Sequence, residues 1–440
     1  MHPSETNSRT KARLKFSNMR PIFHSTTLAA GAPHIRAFCK CVGVCAIRGA
    51  LTLAVLCALL LISARPAQAQ TETVLYNFIG YPYDGGYPNA SLTPDGKGNF
   101  YGTTPNGGLY GYGTVFELYP NGHGGWNESV LYSFPYGADG GFPWFSGVIL
   151  DSAGNLYGTS YDGGSNGCEI GCGDVFELSP MGGGGWTETV LYTFPGGAGG
   201  QLPLNSLIMD SAGNLYGTAY TGGIGAGGIV FELSPSGGGW TEKTIYETSI
   251  SGGLTMDPAG NIFGVTSVMG AVFELSPDGK GGWNSTVIYA TSKSPKSNYL
   301  MSTPVLDAAG NIYGTSGYSG VKKYGTVYKL SRGRTGKWTG KVLHAFAGSP
   351  ADGSNPYGGV VLDAAGHIYG TTAYGGSSGD GVVFELVGKG NYTEKVLWNF
   401  TGANGNRPEA SLTLDAKGNL YGTTLDGGSG SAGVIFEVTP

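Results

Sequence analysis

The chain has 440 residues, 81 of them Gly, with 12% charged and 12% aromatic side chains and a net charge of −5. Nine of the 25 Lys and Arg and one of the 30 Asp and Glu fall in the first 70 residues, so the remainder carries −13, which argues against a nucleic-acid partner. The glycines sit between regular apolar runs, so they read as turns and not as low-complexity sequence.

Residues 1–70 read as a targeting segment. Basic residues from Arg9 to Arg48 lead into a short apolar run, Gly49 to Ala64, and Ala67-Gln-Ala69 is a small-residue cleavage signature. Cleavage near Ala69 would leave residues 71–440 as an exported chain: secreted, periplasmic or on the cell surface. No membrane span is expected in that chain. Four of the six Cys lie in the targeting segment; the other two, Cys168 and Cys172, share one loop and are expected to form a disulfide.

The exported part repeats itself. Asp151-Ser-Ala-Gly-Asn-Leu-Tyr-Gly-Thr159 has six further copies with drift, starting at Asp95, Asp210, Asp257, Asp307, Asp363 and Asp415. The spacing of 47–59 residues suits one four-stranded propeller blade with variable loops. In each unit an apolar strand a meets an Asp-x-x-Gly turn. Strand b follows as Asn-x-Tyr-Gly-Thr, and the Gly158 position within it predicts close approach of a neighbouring backbone. Strand c is Val175-Phe-Glu-Leu178 and its equivalents. Strand d is Thr187-Glu-Thr-Val-Leu-Tyr-Thr-Phe194 and its equivalents. The chain ends on a c strand, whereas Thr71-Glu-Thr-Val-Leu-Tyr-Asn-Phe78 is a d strand with no blade before it. The predicted fold is therefore an all-β, seven-bladed propeller closed by its N-terminal strand, which covers the edge that strand c of the last blade would otherwise expose.

Gly-Asn-Leu-Tyr-Gly-Thr, the following Gly-Gly, Val-Phe-Glu-Leu-Ser-Pro and Leu-Tyr-x-Phe together resemble the GloVer tandem repeat of bacterial secreted and surface proteins, over about residues 71–440. The resemblance implies an extracytoplasmic propeller-like array. It supplies no established activity and no catalytic residues. The Asp-x-x-Gly-Asn-x-Tyr turn is also similar to that of NHL-type propellers, which bears on the fold alone.

Residues present in every blade read as structural, so a single site has to break the sevenfold pattern. The repeated Asp of the turn and Glu of strand c are accordingly expected to pack or hydrogen-bond. The d–a and b–c loops share one face, the top, and are rich in aromatic residues. Phe142, Trp144, Phe145 and Tyr161 are candidates for stacking against sugar rings. Lys293, Lys296, Lys322 and Lys323 form a basic sector suited to an anionic ligand. The favoured function is a binding module for polysaccharide or a surface protein. A carbohydrate-active enzyme is an alternative, using top-face carboxylates among Asp84, Asp139, Asp162, Glu169, Asp174, Asp352, Asp380, Glu409 and Asp426. A purely structural repeat is another. No cofactor, metal site or catalytic residue is assigned, and a monomer is expected. His344 falls in a d strand, and His123 and His367 in bottom turns.

Overall fold

The computed structural model describes residues 70–164, 167–267, 270–290, 300–388 and 390–440. The segment up to Ala69, expected from sequence to be a targeting signal, and Lys293 and Lys296 lie outside the described residues. Seven four-stranded antiparallel sheets form the ring. Blade 1 comprises Thr93–Pro94, Phe100–Thr104, Thr114–Pro120 and Trp126–Ser133 as strands a to d. Blade 7 takes Thr413–Leu414, Leu420–Thr424 and Val434–Thr439 from the C-terminal end, and its strand d is Thr71–Asn77. That strand pairs from Thr71 opposite Thr439 to Asn77 opposite Val434, so the predicted closure is present. A register shift follows Val74, and the same c–d shift recurs in the other blades. Such bulges strengthen strand twist.

Each residue of the repeat has a physical task. Asp151 accepts the backbone N–H groups of Ala153 and Asn155 at 2.8 Å, the Asn155 side-chain amide at 2.9 Å and the Tyr157 hydroxyl at 3.2 Å. The same four bonds recur at Asp210, Asp307 and Asp415. Burial would raise these carboxyls. The donated bonds outweigh it, and Asp151, Asp210 and Asp307 sit below their ordinary range. Tyr157 also lies 3.3 Å from Glu177 Oε1, so the tyrosine ties the turn to strand c. The threonine of strand b ties one blade to the next. Thr103, Thr315, Thr371 and Thr423 donate to the carbonyls of Ser146, Gly358, Ala410 and Ala90, just before the inner strand of the next blade.

The glycine of Tyr-Gly-Thr answers to a ring, and this corrects the expectation of a neighbouring backbone. A Cβ at Gly158 would stand 2.5 Å from Cζ of Phe176, the phenylalanine of strand c. All seven blades repeat this, with Tyr328 as the ring in blade 5. Phe176 is itself fully packed, edge-on to Phe134 of the preceding blade at 5.3 Å. Gly158→Ala is therefore expected to destabilise by ~1–3 kcal/mol through overpacking. Combining it with Phe176→Leu should give less than the sum of the two losses in chemical denaturation. Additive losses would show that the ring is not the obstacle.

The core is correspondingly distributed. Phe78, Phe134, Phe194, Phe346 and Phe400, each just beyond a strand d, pack edge-on against the strand-c phenylalanine of the next blade at 5.0–5.3 Å. Blades are held to one another by these interfaces, so the top-face loops stand on a rigid support.

Candidate functional site

Five of the seven d–a loops turn inward through the same device. Tyr87, Phe142, Leu202, Asn355 and Arg407 all have positive φ, between 51° and 63°, and each is followed by proline. The proline ring lies over a glycine of the preceding blade's b–c loop; a Cβ at Gly113 would stand 2.8 Å from Cδ of Pro143. Each of the five donates its N–H to that same b–c loop, at 2.7–3.0 Å. The residues just after the proline are thereby delivered to the ring axis.

There they line a cavity of about 260 Å³, to which all seven d–a connections contribute. Asn89, Phe145, Asn205, Ser251, Met301, Tyr357 and Glu409 supply its varied wall, over a floor of small residues such as Ser206, Ser302 and Ser411. Asn89 is 2% exposed and its Oδ1 accepts the Phe145 N–H at 3.2 Å. That bond turns Nδ2 away, and Nδ2 of Asn89, like Nδ2 of Asn205, is buried without a hydrogen-bond partner among the described residues. Buried amide donors are rarely left unpaired. Among the described residues, Glu409 is the one carboxylate lining the cavity. Burial raises its carboxyl, and Arg407 opposes this from 2.7 Å. Arg407 also reaches Asp426 at 3.4 Å and lies over the Tyr374 ring. The Tyr357 hydroxyl is 2.6 Å from that of Tyr318.

The candidates from sequence are distributed around this cavity. Phe145 is on its wall, and Trp144 lies against Phe145 with ring centroids 6.3 Å apart. Phe142 packs instead with Tyr112 and Tyr136 over the top of the blade 1–2 junction. Tyr161 is half-buried and donates its N–H to the Phe142 carbonyl at 3.2 Å. Lys322 and Lys323 are exposed on the b–c loop of blade 5. Cys168 and Cys172 form a disulfide in the b–c loop of blade 2, with Cα atoms 5.3 Å apart. Sequence reasoning missed Asn89 and Asn205. Their signal is a variable residue one or two places after the inward proline: Asn89 follows Pro88 directly, and Asn205 is two residues beyond Pro203. Exposed rings of Tyr81, Tyr83 and Tyr110 stand on the loops of the blade 7–1 junction.

A second set of polar groups recurs on the outer parts of the blade interfaces. Tyr76, in the Leu-Tyr-x-Phe of strand d, donates to Asp84 at 2.7 Å, and Glu128 of the next strand d faces the pair. Tyr132, Asp139 and Glu188 repeat the arrangement one blade on. Burial, then the neighbouring Asp84, pushes Glu128 up to about 8; burial, then Asp139 and Asp174, pushes Glu188 up to about 7.

A family model described as the Gloeobacter/Verrucomicrobia repeat matches residues 61–268 and 250–440. The chain belongs to this repeat family. No curated protein matches its sequence. Solved structures similar to this repeat protein include a protein from Lactobacillus plantarum, at 12% identity, TM-score 0.49, covering 78% of this chain and 99% of the other. A Thermus thermophilus protein assigned as a glucose dehydrogenase follows at 13% identity and TM-score 0.42, covering 84% and 100%. A protein assigned as a gluconolactonase has 15% identity and TM-score 0.38, covering 76% and 99%. Among the described residues no helix is long and apolar enough to cross a membrane.

Proposed function

We propose that this repeat protein is an extracytoplasmic binding module that takes carbohydrate on its top face, with one sugar residue of a polysaccharide seated in the axial cavity. The observation that carries the reading is the pair of unpartnered amide donors, Asn89 and Asn205, on the wall of that cavity. A sugar ring offers hydroxyl acceptors to such donors and an apolar face to Phe145 and Trp144. The Arg407–Glu409 pair gives further polar contacts at the rim. The disulfide and the basic, apolar leader support export.

A glycan-array screen followed by calorimetry tests this. Asn89→Ala and Trp144→Ala are each expected to weaken binding about tenfold, or ~1.4 kcal/mol, at any ionic strength. Lys322→Ala with Lys323→Ala should weaken binding only at low salt, where screening is least. An array without hits, or cavity variants that bind like wild type, would defeat the proposal.

A further inference from the structure

We propose that the interface between blades 5 and 6 is a binding site for a divalent transition-metal cation, with His344, Asp352 and Glu394 as its ligands. The three come from separate segments. His344 is in strand d of blade 5, Trp338–Ala345; Asp352 is in the loop that follows; Glu394 is in strand d of blade 6, Thr393–Asn399. Their ligand atoms all lie within 4.8 Å of one another, and Nε2 of His344 is 3.3 Å from Oδ2 of Asp352.

The site is held in place by its surroundings. Asp352 is 8% exposed, and the backbone N–H groups of Ala347 and Gly353 orient it at 2.7 and 2.6 Å. Among the described residues, Oε1 of Glu394 is buried without a hydrogen-bond partner. Among the described residues neither carboxylate has a lysine or arginine within ion-pairing distance. His344 keeps 19% side-chain exposure, which leaves an approach for an ion.

The repeat supplies the internal comparison. His344 stands in Leu343-His-Ala-Phe346, where five of the other six d strands have tyrosine, three of them as Leu-Tyr-x-Phe, and blade 6 has Trp398. At the blade 7–1 junction the corresponding Tyr76 is a hydrogen-bond donor to Asp84. A neutral phenol in that place donates its proton, whereas imidazole offers a lone pair. The one change from tyrosine to histidine thus turns a hydrogen-bonded acid pair into one nitrogen and two carboxylate ligands. That donor set suits Zn²⁺ or Mn²⁺ better than Ca²⁺, which prefers an all-oxygen shell.

Zn²⁺ titration of the untagged full chain by calorimetry, with melting curves at each Zn²⁺ level, decides the matter. His344→Tyr restores the repeat residue and is expected to fold. It should bind one equivalent of Zn²⁺ fewer than wild type and lose the Zn²⁺-dependent rise in melting temperature. Glu394→Gln should weaken that equivalent at least tenfold. His367→Asn, which restores the repeat residue of an a–b turn, should leave it unchanged. If His344→Tyr fails to fold, Glu394→Gln and Asp352→Asn carry the same comparison. Equal stoichiometry and affinity in wild type and the ligand variants would overturn the assignment. So would loss of the equivalent in His367→Asn alone.

Discussion

Deleting residues 71–78 should lower the melting temperature by roughly 10 °C or more, or abolish the native ring. This segment is the whole outer strand of blade 7, paired from Thr71 to Asn77 with Val434–Thr439. Its loss leaves the backbone of strand c as a free edge. It also removes Phe78, which is fully buried against Phe116 of blade 1 with centroids 5.3 Å apart. Phe78→Ala alone is expected to cost ~3–5 kcal/mol. The interface lost by the deletion joins the first and last blades, so the damage is to closure and not to one loop. A synthetic peptide of residues 71–78 supplied at millimolar concentration should recover part of the stability by strand addition. A deletion variant that melts like wild type would mean that the ring does not depend on this strand.

Much of this architecture was legible because it is written seven times. The turn at Asp151, the strand order and the orphan strand at Thr71 each follow from the repeat and from turn and edge chemistry. What approaches Gly158 was not legible, because Phe176 reaches it across the b–c pairing and not along the chain. The axial cavity was half-visible. Phe145 and Trp144 announce themselves as aromatic departures, whereas Asn89 is an ordinary polar residue whose meaning depends on being turned inward after Pro88. His344, Asp352 and Glu394 were harder still, since fifty residues separate the ends of the group. Only the substitution of histidine in Leu-Tyr-x-Phe marks the place. Conversely, Phe142 looked like part of an aromatic cluster because sequence cannot separate a ring on the cavity wall from one packed over a blade.

The acid pairs at the other interfaces predict that stability falls as pH rises from about 5 to 8.5. Glu128 faces Asp84 and Tyr76, and Glu188 faces Asp139, Asp174 and Tyr132. Burial first, and these acidic neighbours second, push Glu128 up to about 8 and Glu188 up to about 7. In the unfolded chain both titrate near 4.3. A carboxyl whose folded value is raised contributes its full stability below the unfolded value and loses it as pH passes through the folded one. The loss should therefore extend from about pH 5 to pH 8.5. Solvent screening of these half-buried side chains holds the combined effect to on the order of 2–4 kcal/mol. The turn aspartates act in the opposite sense. Asp151, Asp210 and Asp307 are depressed, so their contribution is present above about pH 4 and disappears in stronger acid. Stability should then peak near pH 5. In Glu128→Gln with Glu188→Gln the amides keep the shape of the protonated acids and cannot ionise. Melting curves of this double variant are expected to be flatter between pH 5 and 8.5, and to lie above wild type by several degrees at pH 8.5. A variant that falls as steeply as wild type over that interval would show that these two carboxyls are not the groups responsible.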